Sequence, residues 1–208
     1  MKIIDLATYP RRSHYEYFKS LAYPYVGMSA DVDVTGLLAA AKRRGKSSFL
    51  ACLYASAVAA NAVPALRQRM VGDTIIEFDR CNTAHTVAKE DGTFVNCQTD
   101  SSLDFDTFLN MGDTWHKNAK EQSGFINDKE DETGLIFVSC VPWVSFTGVL
   151  QPTPIPADSN PRIVFGKYFR QDGRTLMPLA IQCNHALVDG LHIGQFYQKF
   201  QDFSDTIV

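Results

Sequence analysis

Hydrophobic and polar positions along the 208-residue chain alternate between strand-like and helix-like periods, with no repeat or low-complexity tract. "MSADVDVTGLLAAAKRRGKS" reads as a strand passing into a helix, with Thr35 as its N-cap before Leu37 and Leu38. Residues 48 to 62, "SFLACLYASAVAANA", are small and apolar on nearly every side, the pattern of a helix buried on most faces. "TIIEFD", "CNTAHTVAKE" and "GTFVNCQTD" read as three strands, and Asp91-Gly92 between the last two is a hairpin signal. Residues 103 to 120 form an amphipathic helix with Leu103, Phe105, Phe108, Leu109 and Trp115 on its apolar stripe.

The second half continues with an acidic connector, "NDKEDETG", a short buried strand, "LIFVSCVPW", and a proline-rich loop, "QPTPIPADSNP". A long hairpin follows, "RIVFGKYFR" and "TLMPLAIQCN" joined by a "QDGR" turn, and a final helix runs from about 191 to 203. Interspersed helices and strands with prominent hairpins predict an α/β (α+β) two-layer sandwich, its mixed and largely antiparallel sheet flanked by helices. The length fits a single domain spanning 1–208.

Composition narrows the function. A formal charge of −3 argues against a nucleic-acid partner, whose phosphates need clustered cations. The one dense basic run, "AKRRGK" at 41 to 46, reads as the solvated end of a helix. No stretch reaches the roughly 20 apolar residues of a membrane span, and "MKIIDLATYPRR" is not expected to be a signal peptide. The five cysteines (52, 81, 97, 140 and 183) are odd in number and lack metal-ligand spacing. Free thiols in a cytoplasmic protein, with no metal, are therefore expected.

Chemistry concentrates in "LAIQCNHALVDGLHIGQF", residues 179 to 196. His185 ends an apolar strand there, and Asp189-Gly190 precedes a helix. A histidine at such a junction can be presented at the mouth of a cleft, and imidazoles exchange protons near neutral pH. Asp189 has a plainer use as the cap of the following helix. Ser139, in "FVSCVPW", either satisfies a backbone carbonyl or donates to a developing oxyanion. Of Arg11 and Arg12, one can pair with Asp189, or both can be solvated.

These segments together resemble the chloramphenicol acetyltransferase family. "QCNHALVDGLH" is similar to its signature of a glutamine, a variable residue, two histidines, three residues and Asp-Gly-aromatic-His. The shorter His-x-x-x-Asp-Gly also occurs in dihydrolipoamide acyltransferases and peptide-synthetase condensation domains. The likeness nevertheless extends over nearly the whole chain, through "YPRRSHYEYF", "SADVDVT", the Ser-x-x-Pro-Trp strand "FVSCVPWVSF" and "FGKYFRQDGRTLMPLAIQ".

The resemblance implies an α/β sandwich assembled as a homotrimer with active sites between subunits. It implies direct transfer of acetyl from acetyl-CoA to a hydroxyl of a small-molecule acceptor, chloramphenicol, without an acyl-enzyme. His185 would be the general base, Ser139 the oxyanion donor, and Asp189 the ion-pair partner of Arg11. Trp143, Lys167 and Tyr168 would contact coenzyme A, and Phe18, Phe94 and Phe125 the acceptor. The chain departs from the family at Asn184, which replaces the first histidine, and at Leu191 and Val164. Asn96, Val149 and Gln151 alter the acceptor pocket, so a different hydroxyl acceptor stays open, as does a non-catalytic trimeric binding protein.

Overall fold

A computed structural model describes residues 1–122, 124 and 132–207. Its main sheet runs in the order β2 (Tyr25–Asp33), β10 (Arg174–Asn184), β8 (Arg162–Phe165), β7 (Leu135–Cys140), β5 (Asn82–Ala88) and β6 (Phe94–Thr99). The short β9 (Phe169–Gln171) pairs with the start of β10. A smaller antiparallel sheet holds β1 (Lys2–Ile4), β4 (Thr74–Glu77) and β3 (Gln68–Val71) in the order β1-β4-β3.

The expected mixed sandwich is observed, and its most regular features follow from local chemistry. The Asp91-Gly92 hairpin joins β5 to β6, with Gly92 at φ 82° where a side chain would be strained. Helix α3 (Ser48–Asn61) is apolar all round because it is covered on most sides, and Ser47 caps it by accepting from the Leu50 amide. Helix α4 (Phe105–Lys120) is capped by Asp104 and turns Phe105, Phe108 and Leu109 inward. Gly112 lets α4 close on α3: a Cβ there would lie 2.0 Å from the Leu50 side chain.

Two expectations change, and the mixed sheet shows where its parallel pairs lie. Thr35 is the first residue of helix α2 (Thr35–Arg43) and not its cap. Its amide donates to the Asp33 carboxylate at 2.9 Å, and its hydroxyl accepts from the Thr175 amide at 2.8 Å, so the threonine ties the helix to the sheet. The predicted long hairpin breaks at Gly166–Tyr168 into β8 and β9, because the Lys167 amide turns away to the Val144 carbonyl. The sheet centre is parallel: β5 with β7 and β7 with β8, each through a long crossover rather than a hairpin.

The helices cover one face of the main sheet, where Ile136, Val138, Ile163, Leu179 and Ile181 join the core. Helix α5 (Gly190–Thr206) packs against α3 and β2, and α1 (Arg12–Lys19) brings Phe18 to the end of β10. Among the described residues no helix is long and apolar enough to cross a membrane. All five cysteines are free thiols.

Candidate active site

β10 pairs along its whole length with β2 and stops at Asn184. Asn184 is buried and satisfied, donating to the Asp158 carbonyl at 2.8 Å and accepting from the Ala186 amide at 3.0 Å. The asparagine therefore shapes the turn that releases the chain from the sheet. The next residue, His185, donates its amide to the Pro24 carbonyl at 2.7 Å. Its Nδ1 lies 2.9 Å from the Val188 carbonyl. A carbonyl oxygen only accepts, so Nδ1 carries the proton and Nε2 keeps the lone pair. Phe18 stacks on the ring at 3.8 Å with planes 16° apart. The imidazole is thus held in one tautomer and one orientation.

Asp189 caps α5, accepting from the Leu191 amide at 3.0 Å, and is ion-paired with Arg11. A second nitrogen of Arg11 donates to the His185 carbonyl at 3.5 Å, so one guanidinium holds both ends of the turn. His192 closes a capping box by accepting from the Asp189 amide at 3.2 Å, a role its sequence position alone did not suggest. Burial pushes the Asp189 carboxyl up, but the charge and hydrogen bond of Arg11 and the His192 main-chain amide hold the group below its ordinary range, as does the His192 ring when it is protonated. A depressed carboxylate contributes stability that is complete above its unfolded value and fades as pH falls through the folded one. Asp189→Asn is therefore expected to lower unfolding free energy by about 1–2 kcal/mol at pH 7. The difference from wild type should shrink in urea titrations below about pH 4.

Ser139 lies on β7 opposite Val164, which in turn lies opposite Ala180 of β10. Alternation along β7 puts it on the face away from the helices. There it lines a cleft of about 430 Å³ with Thr86, Phe94, Asn96, Phe137 and Gln151. His185 lies two strands over and five residues beyond Ala180, on the order of 19 Å away at ordinary strand spacing and rise. Within one chain the two groups therefore stand apart, His185 against Phe18 and Ser139 in the cleft with Phe94. Phe125 lies outside the described residues.

The segments bearing Trp143 and Lys167 run side by side, joined by the bond from the Lys167 amide to the Val144 carbonyl, 2.9 Å. Trp143 is 79% exposed and Lys167 is also exposed. Tyr168 is different: its ring packs on the core and its hydroxyl is 3.7 Å from Cys52 Sγ. Burial pushes that phenol up, so it stays neutral. Phe94, Val144, Leu150 and Ile155 are also largely exposed.

Two histidines outside the His185 motif meet in the structure. His85, in a strand, and His116, on a helix, have their Nε2 atoms 2.9 Å apart. Thirty-one positions separate them, with no ligand-like spacing to signal the contact.

The sequence and its structure were compared with known proteins. The family model for chloramphenicol acetyltransferase matches residues 1–201. A chloramphenicol acetyltransferase of Proteus mirabilis is 29% identical over 207 residues, covering 98% of this chain and 94% of the relative. One from Escherichia coli is 30% identical over 209 residues, covering 97% and 93%. A solved chloramphenicol acetyltransferase superposes with a TM-score of 0.89 at 28% identity, covering 97% of this chain and 98% of the other. A probable dihydrolipoamide acetyltransferase from Listeria monocytogenes shares the fold, with a TM-score of 0.70 at 19% identity over 100% of this chain and 94% of its own. With a full-length family match on top of the arrangement around His185 and Ser139, the chain belongs to the chloramphenicol acetyltransferase family.

Proposed function

We propose that this chain acts as one acyltransferase domain that moves the acetyl group of acetyl-CoA to a hydroxyl of chloramphenicol, the acceptor that names its relatives. The observation that carries the reading is the tautomer of His185: Nδ1–H is committed to the Val188 carbonyl, leaving Nε2 as an unprotonated base. That nitrogen takes the proton of the acceptor hydroxyl as its oxygen attacks the thioester carbon. The imidazolium is stabilised by the same Val188 carbonyl. Collapse of the tetrahedral intermediate breaks the carbon–sulfur bond, and the proton returns to the departing coenzyme A thiolate. The Ser139 hydroxyl donates to the oxyanion in between. Arg11 and Asp189 act as positioning residues that hold the turn bearing His185.

The base and the oxyanion donor have to meet at one carbonyl, which a separation on the order of 19 Å within a chain forbids. Assembly as a homotrimer, with His185 of one subunit facing the Ser139 cleft of the next, resolves this. The exposed Phe94, Val144, Leu150 and Ile155 support such a contact. Trp143 offers an aromatic face and Lys167 a cation to coenzyme A, whose adenine and phosphates suit them. Tyr168 adds its ring, its hydroxyl being turned toward Cys52. Phe18 and Phe94 supply apolar walls for the acceptor. Five free cysteines suit the reducing cytoplasm.

Thiol release from acetyl-CoA with chloramphenicol tests the reading, and turnover that depends on both substrates is the expected result. A second reading, a different small hydroxyl acceptor, is favoured by Thr86, Asn96 and Gln151, whose polar groups line the Ser139 cleft. Coenzyme A binding without chloramphenicol turnover would select it. Failure to bind coenzyme A at all would sink both.

A further inference from the structure

His85, Cys97 and His116 gather on the helix-covered side of the sheet. His85 of β5 stands directly opposite Cys97 of β6, so their side chains share a face. His85 is also in register with the core residue Val138, the neighbour of Ser139 on β7. Alternation therefore puts the imidazole on the side of the sheet away from the Ser139 cleft. Helix α4 crosses this side and delivers His116 to His85, Nε2 to Nε2 at 2.9 Å. One ligand atom from each of the three residues lies within 4.8 Å of the other two. His85 and Cys97 are 1% and 2% exposed. His116 is half-buried and opens on a surface depression that it shares with Asp113 and Glu121 and with Lys117 and Lys120.

We propose that His85, Cys97 and His116 bind one zinc-class divalent transition-metal ion. Two imidazoles and a thiolate are the donor set such ions prefer, and three protein ligands leave a fourth position open. Metal–nitrogen bonds of about 2.0–2.1 Å at a tetrahedral angle place the two nitrogens about 3.3 Å apart. The rings need to separate by only about 0.4 Å from their present hydrogen bond to admit the ion. On His85 the ion replaces only the bond to His116, and Cys97 Sγ closes in from within 4.8 Å: the His85 Nδ1 is buried without a partner, and its ring is otherwise steadied by Phe49 at 5.1 Å.

Binding releases one proton, from the Cys97 thiol, and shifts the proton between the two Nε2 atoms to an Nδ1. The fourth position faces the depression beside His116, where water or the Asp113 carboxylate completes the set. An ion there clamps α4 to the β5–β6 pair. The same pair presents Thr86, Phe94 and Asn96 to the Ser139 cleft, so the site would stiffen one wall of that cleft from behind.

The test uses chelator-treated full-length protein titrated with Co²⁺, and with Zn²⁺ in a parallel melt. The expected result is a thiolate-to-cobalt charge-transfer band that saturates at about one ion per chain. Zinc at a hundredfold excess over its Kd should raise the melting midpoint by about 5–10 °C. Both effects should vanish in Cys97→Ala and in His116→Gln, the latter at a half-exposed position that the fold tolerates, and persist in His185→Ala. Absence of the band, or its survival in both cluster variants, overturns the proposal.

Discussion

Replacing His185 with alanine is expected to lower kcat for acetyl transfer by about 10²–10⁴-fold. The KM for acetyl-CoA should stay within about twofold, because the lost interaction is made in the transition state. The specificity of this result comes from how the turn is held. The His185 main chain is fixed by its amide on Pro24 and by Arg11 on its carbonyl, and neither bond uses the imidazole. Asp189 keeps its cap and its ion pair in the variant. What is removed is the Nε2 base and the stack on Phe18, which is worth about 1 kcal/mol and should appear as a small fall in stability. Circular dichroism should match wild type while the thiol-release rate collapses. A variant that keeps most of its kcat would remove His185 from the chemistry.

Ser139→Ala carries the second large effect. One preorganised donor to an oxyanion contributes about 10²–10³ in kcat, so a loss of that size is expected with little change in either KM. The competing use of a strand serine, satisfying a nearby backbone carbonyl, predicts the reverse pattern: stability lower by about 1 kcal/mol and turnover nearly intact. The location separates them. Ser139 faces the open cleft with Phe94, Asn96 and Gln151, and its register against Val164 is maintained by backbone pairing that alanine preserves. Chemical denaturation and steady-state kinetics on the same preparation decide between the two.

Legibility in the sequence followed the range of the interaction. The β5–β6 hairpin was plain because Asp91-Gly92 encodes its turn in two adjacent residues, and α3 because apolar residues on every side leave few alternatives to burial. His185, Asp189 and Arg11 were legible through a pattern of residues, and the Arg11–Asp189 pair joins them across the chain as that pattern implied. Strand direction was not legible at the sheet centre. β7 and β8 are short and mostly apolar, and a short apolar run carries no mark of whether its neighbour is parallel or antiparallel.

Thr35 shows a tertiary contact overriding a local rule: a hydroxyl suited to capping was recruited by the Thr175 amide of another element. The break after β8 depended likewise on a remote partner, the Val144 carbonyl. His192 was recognisable as part of a motif, but its use as a cap rests on an amide whose orientation only the folded turn defines. The meeting of His85, Cys97 and His116 depends on where α4 crosses the sheet, which no spacing records.

The proposed sharing of one site between His185 of one subunit and Ser139 of the next, which the family resemblance implies, is the centre of the functional account. Mixing chains tests it directly. His185→Ala and Ser139→Ala chains, each inactive alone, are co-refolded in equal amounts and assayed for thiol release. If every site takes His185 from one chain and Ser139 from its neighbour, random trimers contain about one intact site in four, and activity returns to about a quarter of wild type. Activity that stays at the level of the separate variants would contradict a shared site.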